Sequence, residues 1–154
     1  PRDTRILYGS VVNGSLWRSA DAGQTWLQLG PPQVDGKAIK FGAFRALVFL
    51  PDGIDAFLYA SQYGLARTLD GGQNWTLLQL VTRPNTVAIT GLAIDAKNSQ
   101  HLSYVAGSAF YRSADAGRTW ETLRMPSSRI PTSLATDPGD GNILYLGFTK
   151  PKKK

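Results

Sequence analysis

The sequence predicts an all-β chain of short antiparallel strands, and three observations predict it. Short runs rich in Tyr, Phe, Trp, Val, Ile and Leu recur at a spacing of about 8–12 residues, the rhythm of antiparallel all-β domains. Sixteen glycines and nine prolines in 154 residues supply frequent turns between them. Few stretches reach the roughly 11 residues that helical periodicity requires without meeting Gly, Pro or an Asp/Asn cluster, so essentially no helix is expected.

In chain order, the strand-forming runs begin with Ile6–Tyr8, Ser15–Arg18 and Thr25–Leu29, separated by an Asn-Gly turn and an Asp-Ala-Gly turn. Ala46–Leu50 and Ala56–Ala60 flank Pro51-Asp-Gly, and Asn74–Leu80 follows a second Asp-Gly-Gly turn. Leu92–Ile94, Leu102–Ala106, Phe110–Arg112 and Thr119–Leu123 repeat that succession, and Ile143–Leu146 closes it after Asp137-Pro-Gly-Asp-Gly. The longest apolar runs, such as Ala46–Leu50, have five residues; a membrane-spanning helix needs about 20. Hydrophobic content of 42% supports a core and argues against general disorder. Charged residues are 18%, with 17 Lys+Arg against 11 Asp+Glu and a net charge of +6. There is no cysteine, so disulfides and thiolate metal sites are excluded. The only methionine is Met125, and Pro1 is expected to be a processed or truncated start.

An internal repeat sets the architecture. Ser19-Ala-Asp-Ala-Gly-Gln-Thr-Trp26, Thr68-Leu-Asp-Gly-Gly-Gln-Asn-Trp75 and Ser113-Ala-Asp-Ala-Gly-Arg-Thr-Trp120 share the pattern Ser/Thr-x-Asp-x-Gly-x-Thr/Asn-Trp. Asp21 and Asp70 are 49 residues apart, Asp70 and Asp115 45. An arginine precedes each copy (Arg18, Arg67, Arg112), and a tyrosine strand lies upstream (Tyr8, Tyr59, Tyr104). Ile143-Leu-Tyr145-Leu-Gly147 starts a fourth unit. Such a period, with several short strands per unit, predicts a β-propeller with one blade per repeat. Each octapeptide then forms the turn between the third and fourth strands. The expected blades span about 5–29, 45–78, 90–123 and 132–149, all within a propeller segment 1–149, with a basic, disordered tail at 150–154. The chain starts and ends in mid-blade, and a little over three blades cannot close a ring that needs at least four. Further blades of a longer propeller, or another protein chain, are expected to complete it.

The octapeptides resemble the Asp-box, or BNR repeat, found in sialidases, sortilin-type receptors, Asp-box xyloglucanases and photosystem assembly factors. The resemblance covers nearly the whole chain and speaks for fold; the box occurs in proteins of unrelated activity. In each box the Asp carboxylate is suited to accept backbone N–H groups, Gly to supply a positive φ, and the Thr hydroxyl to satisfy a further group. The Trp packs its ring into the blade. Structural roles therefore go to Asp21, Gly23, Thr25 and Trp26, to Asp70, Gly72 and Trp75, and to Asp115, Gly117, Thr119 and Trp120. Asn74 replaces Thr in the middle box and is expected to weaken that turn. One carboxylate per box is too few for calcium, which takes about 6–8 oxygen ligands, so no metal site and no cofactor are read.

In a propeller the boxes and the first-to-second-strand turns share one side. Asp21, Asp52, Asp55, Asp70, Asp95, Asp115, Asp137 and Asp140 fall there. The inter-blade connections on the other side carry Lys37, Lys40, Arg45, Arg83, Arg124 and Arg129, with Asp35 as their only acid. Sialidase resemblance places ligand sites on that second side, which should be basic and attract anions. Glycosidases commonly use two carboxylates; the only glutamate, Glu121, directly follows a box Trp, and Tyr63 has no assignable carboxylate partner. His101 alone cannot make a zinc site. Asn13-Gly-Ser15 and Asn74-Trp-Thr76 match the glycosylation pattern, which is short enough to arise by chance. No aromatic residue interleaves the lysines of the tail, which argues against nucleic acid. The reading is thus a non-catalytic binding or assembly scaffold, with Arg45, Tyr63, Arg83, Arg124 and Arg129 as binding candidates for a protein, anionic ligand or glycan. The alternative is a fragment of a sialidase- or xyloglucanase-type glycoside hydrolase whose catalytic acids lie outside this chain. By resemblance, the location expected is extracytoplasmic.

Overall fold

The computed structural model describes residues 3–10, 15–30, 33–34, 37–38, 45–61, 63–84 and 86–149, with backbone only for 33–34 and 37–38. Asp35, Lys40, Asn13 and the tail 150–154 lie outside the described residues. The described chain is all-β, in two compact units, 1–78 and 79–154.

The first unit opens with β1 (Leu7–Ser10), β2 (Leu16–Ser19) and β3 (Leu27–Leu29), an antiparallel sheet in that order. A two-residue ladder, β4 (Gln33–Val34) with β5 (Lys37–Ala38), lies in the connection, a feature the sequence pattern did not suggest. Then come β6 (Ala46–Phe49), β7 (Phe57–Ser61), β8 (Gly64–Thr68) and β9 (Thr76–Leu77), a four-stranded antiparallel sheet. β7 is buried along its whole length, because an interior strand of a packed sheet has neither an open edge nor a wet face. The two sheets meet through Leu16, Phe57, Tyr59, Ala66 and Trp75, with Tyr8, Leu29, Leu47 and Phe49 packed against them. Tyr8 and Phe57 have ring centroids 4.7 Å apart, and Phe57 meets Trp75 edge-on at 5.6 Å, geometries that aromatic quadrupoles favour.

The second unit repeats the four-stranded sheet with β10 (Ile89–Asp95), β11 (Asn98–Ala106), β12 (Ala109–Ser113) and β13 (Glu121–Arg124). A two-stranded sheet, β14 (Pro131–Thr136) with β15 (Leu144–Phe148), follows. Ala93, Val105, Phe110 and Leu134 form the core between these sheets. Gly91 permits the close approach of β10 and β14: a Cβ there would sit 2.7 Å from Leu134 Cβ and 3.0 Å from the Leu134 nitrogen.

Candidate functional site

Each repeated turn is a closed hydrogen-bond circuit made by its own residues. In the first, Ser19 Oγ donates to Asp21 Oδ1 (2.7 Å) and accepts from the Gly23 amide (2.8 Å). Asp21 also accepts the Thr25 amide (2.9 Å) and the Thr25 hydroxyl (2.5 Å). The third turn repeats this with Ser113, Asp115, Gly117 and Thr119. Hydrogen bonds from Thr25 and Thr119, joined by those from Ser19 and Ser113, hold the Asp21 and Asp115 carboxyls down at about 2. In the middle turn Asn74 does the work of Thr, donating its amide to Asp70 Oδ1 (2.9 Å) and its side-chain Nδ2 to Asp70 Oδ2 (2.7 Å). Asn74 thus keeps the bond pattern of the other two turns, since a carboxamide reaches the same oxygen as a hydroxyl. Burial alone would raise the Asp70 pKa, but the Asn74 and Thr68 bonds outweigh it and lower it.

Two features of these turns were not read from the sequence. The hub is the buried Ser19, Thr68 or Ser113 hydroxyl, which the pattern contained but to which no role was given. Positive φ also occurs at two consecutive positions, Ala22-Gly23, Gly71-Gly72 and Ala116-Gly117. The three tryptophans differ as well. Trp75 is 7% exposed and donates to the Gly72 carbonyl (2.9 Å), whereas Trp26 is 44% exposed. Trp120 donates instead to the Gln79 carbonyl (2.9 Å).

The arginines preceding two of the turns tie neighbouring sheets. In the first unit Arg18 Nη2 donates to Asp55 Oδ2 (2.7 Å) and Arg18 Nε to the Tyr8 hydroxyl (3.2 Å), which in turn donates to Asp55 Oδ1 (3.1 Å). Burial pushes the Tyr8 phenol up to about 12. In the second unit Arg112 reaches Asn142 Oδ1 (3.4 Å). His101 Nδ1 lies 3.3 Å from Asp95 Oδ2, a local tie at the β10–β11 turn. Among the described residues no group of three or more His, Cys, Asp or Glu gathers to hold a metal.

The register gathers the acids at one end of the strands, among Arg5, Arg18, Arg67, Lys97, Arg112 and Arg118. In the first unit Phe49↔Phe57, Arg67↔Thr76 and Leu7↔Ser19 mark the end that bears the repeated turns and carries Asp3, Asp21, Asp52, Asp55 and Asp70. The opposite end, at Ala46↔Ala60 and Ser61↔Gly64, carries Arg45 and Tyr63. In the second unit Asp95↔Asn98, Arg112↔Glu121 and Thr136↔Leu144 mark the turn-bearing end, with Asp95, Asp115, Glu121, Asp137 and Asp140. Ile89↔Ala106, Ala109↔Arg124 and Pro131↔Phe148 mark the other, with Arg83, Arg124 and Arg129. Arg45, Arg83, Arg124 and Arg129 are exposed and Tyr63 half-buried. Among the described residues every acid stands at a turn-bearing end. The fold thus brings Arg83, Arg124 and Arg129 to one end of one unit, and Arg45 and Tyr63 to the matching end of the other.

No protein-family model and no curated protein matches this sequence. Solved structures do. An ancestral GH74 enzyme superposes with a TM-score of 0.75 at 18% identity, over 96% of this chain and 20% of that one. The GH74 xyloglucanase from Xanthomonas campestris gives 0.69 at 22% identity, over 96% and 26%. YCF48 bound to D1 peptide gives 0.64 at 21% identity, over 88% and 43%. These likenesses establish the fold: the chain is a partial β-propeller of four-stranded antiparallel blades. It spans between a fifth and less than half of these neighbours' lengths.

Proposed function

We propose that this chain is part of a larger β-propeller that works as a non-catalytic binding or assembly scaffold, with the ends of its sheets away from the repeated turns as the ligand side. The observation that carries the reading is where the acids stand. All the described acids stand at the end bearing the repeated turns, among Arg5, Arg18, Arg67, Lys97, Arg112 and Arg118 and many of them engaged in turns and sheet ties, while the exposed arginines of the other end have no described acid beside them. Catalytic carboxylates would be expected where the ligand binds; the ends away from the repeated turns hold none among the described residues, and Asp35, outside them, is the one acid that the sequence places on that side. The repeated turns read as Asp-boxes, whose carboxylates are spent on holding backbone amides. Arg45, Tyr63, Arg83, Arg124 and Arg129 are the contact candidates, and a protein partner is favoured by the likeness to YCF48, solved with a bound peptide. Further blades, from the same polypeptide or another, complete the ring, and the location is extracytoplasmic by sequence resemblance.

The test is binding of polyglutamate to the 154-residue chain and to an Arg124→Glu/Arg129→Glu variant. The reversal should weaken binding and steepen nothing in the unfolding curve, because both side chains are exposed. Equal binding by the two proteins would remove the basic-side reading. The second reading, a segment of a glycoside hydrolase, is favoured by the GH74 neighbours. It calls for release of oligosaccharides from xyloglucan by a complete protein whose acid pair lies outside these residues.

A further inference from the structure

The end of the second unit away from the repeated turns combines its arginines with exposed aliphatic side chains. β10 and β14 both start at this end and approach each other at Gly91 and Leu134. Val87 and Ile130 each precede that approach by four residues, so both belong to the chain entering these strands at this end. Val87 also borders the β11–β12 turn, its Cγ1 lying 3.0 Å from where a Cβ on Gly107 would be. Arg124 ends β13 opposite Ala109, just past the same turn, and Arg129 immediately precedes Ile130. Ile130 is 64% exposed.

The loops are braced by their own hydrogen bonds. Thr86 Oγ1 donates to the Arg83 carbonyl (2.6 Å), the Arg129 amide donates to Ser127 Oγ (3.2 Å), and the Thr149 amide donates to the Ile130 carbonyl (3.1 Å). Backbone groups so occupied leave the side chains as the recognition elements, and a braced loop loses less entropy on binding. The ligands that exposed cations attract include anionic glycans and acidic peptides. Glycan faces usually stack on exposed aromatic rings, and at this end the aromatic among the described residues is the half-buried Phe148. Aliphatic side chains beside arginines match a peptide that carries both carboxylates and apolar residues.

We infer that this end binds an extended acidic peptide of a partner protein, Arg83, Arg124 and Arg129 pairing with its carboxylates and Val87 and Ile130 receiving its aliphatic side chains. The inference rests on the scaffold reading and narrows its ligand to one class. It is tested by fluorescence anisotropy with the 154-residue chain and short labelled peptides alternating Glu with Leu, Gln with Leu, or Glu with Ser, and with a heparin oligosaccharide. The Glu–Leu peptide should bind about tenfold more tightly than either other peptide, and Ile130→Ser and Arg83→Gln should each reduce its binding severalfold. Unfolding midpoints of both variants should match the parent, since both side chains are exposed. Equal binding of the Glu–Leu and Gln–Leu peptides overturns the inference. So does heparin binding that exceeds the peptide's and ignores Ile130→Ser, which would mark a glycan surface. If polyglutamate binding still depends on Arg124 and Arg129 while Leu adds nothing, the peptide inference fails alone. If no anion depends on the arginines, the scaffold reading fails with it.

Discussion

Within one repeated turn, identical sequence positions carry different burdens, and this yields separable predictions. Ala22 and Ala116 hold φ of 58°, a left-handed conformation that costs an L-residue roughly 1–2 kcal/mol. Gly71 takes the equivalent place in the middle turn. Ala116→Gly is therefore expected to raise stability by about 0.5 kcal/mol, the relief of strain being partly cancelled by unfolded-state entropy; urea denaturation measures it. Ser113 is buried and serves both Asp115 and the Gly117 amide. Ser113→Ala leaves that amide without its acceptor and should cost about 1–3 kcal/mol. Trp75→Ala should cost about 3–5 kcal/mol by opening a core cavity, and Trp26→Ala much less, because its ring is nearly half in water. Equal losses at the two tryptophans would contradict the burial difference.

The same turns set an acid limit. The Asp21 and Asp115 carboxyls titrate near 2 in the folded chain, below the roughly 3.9 of an unfolded aspartate. A depressed folded value means the unfolded state binds protons first as pH falls, so stability is fully present above about 4 and is lost as pH drops through about 2. The thermal midpoint is expected to be flat on this account from pH 7 to 5 and to fall below pH 4. Asp115→Asn should flatten part of that fall.

At the scale of strands and sheets, close approach and buried polarity decide what can change. Gly91→Ala would press a methyl to 2.7 Å from both Leu134 Cβ and Val105 Cγ2, and should destabilise by about 1–3 kcal/mol through overpacking. Arg18, Tyr8 and Asp55 form a mutually bonded triad between two sheets, each member largely removed from water. Removing Asp55 alone leaves a cation and a phenol without their acceptor, so Asp55→Ala should be worse than the double change Arg18→Met/Asp55→Ala. A double-mutant cycle reads the difference directly.

For the molecule as a whole, the first and last sheets in chain order matter most. β1 pairs only with β2, and β15 only with β14, among the described strands. Leu7 and Trp26 are exposed in the first sheet, and Ile143 and Tyr145 at the last, Tyr145 being 56% exposed. Open strand edges and uncovered apolar side chains favour association. The 154-residue chain by itself should therefore show concentration-dependent association in light scattering, reduced by Trp26→Ser or Tyr145→Ser. A monodisperse monomer at all concentrations would show that these surfaces need no cover.

The sequence by itself determined the strand content, the repeat and the chemistry of the turns, because these depend on local rules. Gly suits the positive φ at positions 23, 72 and 117, Asp with Thr or Asn suits the tight turn, and short apolar runs between turn residues suit strands; all lie within a few residues and are visible as spelling, whereas the positive φ of Ala22 and Ala116 is not. The grouping of Arg83, Arg124 and Arg129 followed once the repeat period had been converted into strand order. Tertiary structure alone decided the rest. Trp26 and Trp75 occupy the same motif position, yet one has a packed sheet against it and the other does not, and no local pattern encodes that. The Tyr8–Arg18–Asp55 triad joins residues up to 47 apart in sequence, and β10 meets β14 where Gly91 lies against Leu134. Such contacts exist only when separate sheets pack, since burial and proximity across sheets are properties of the assembled chain and not of any segment.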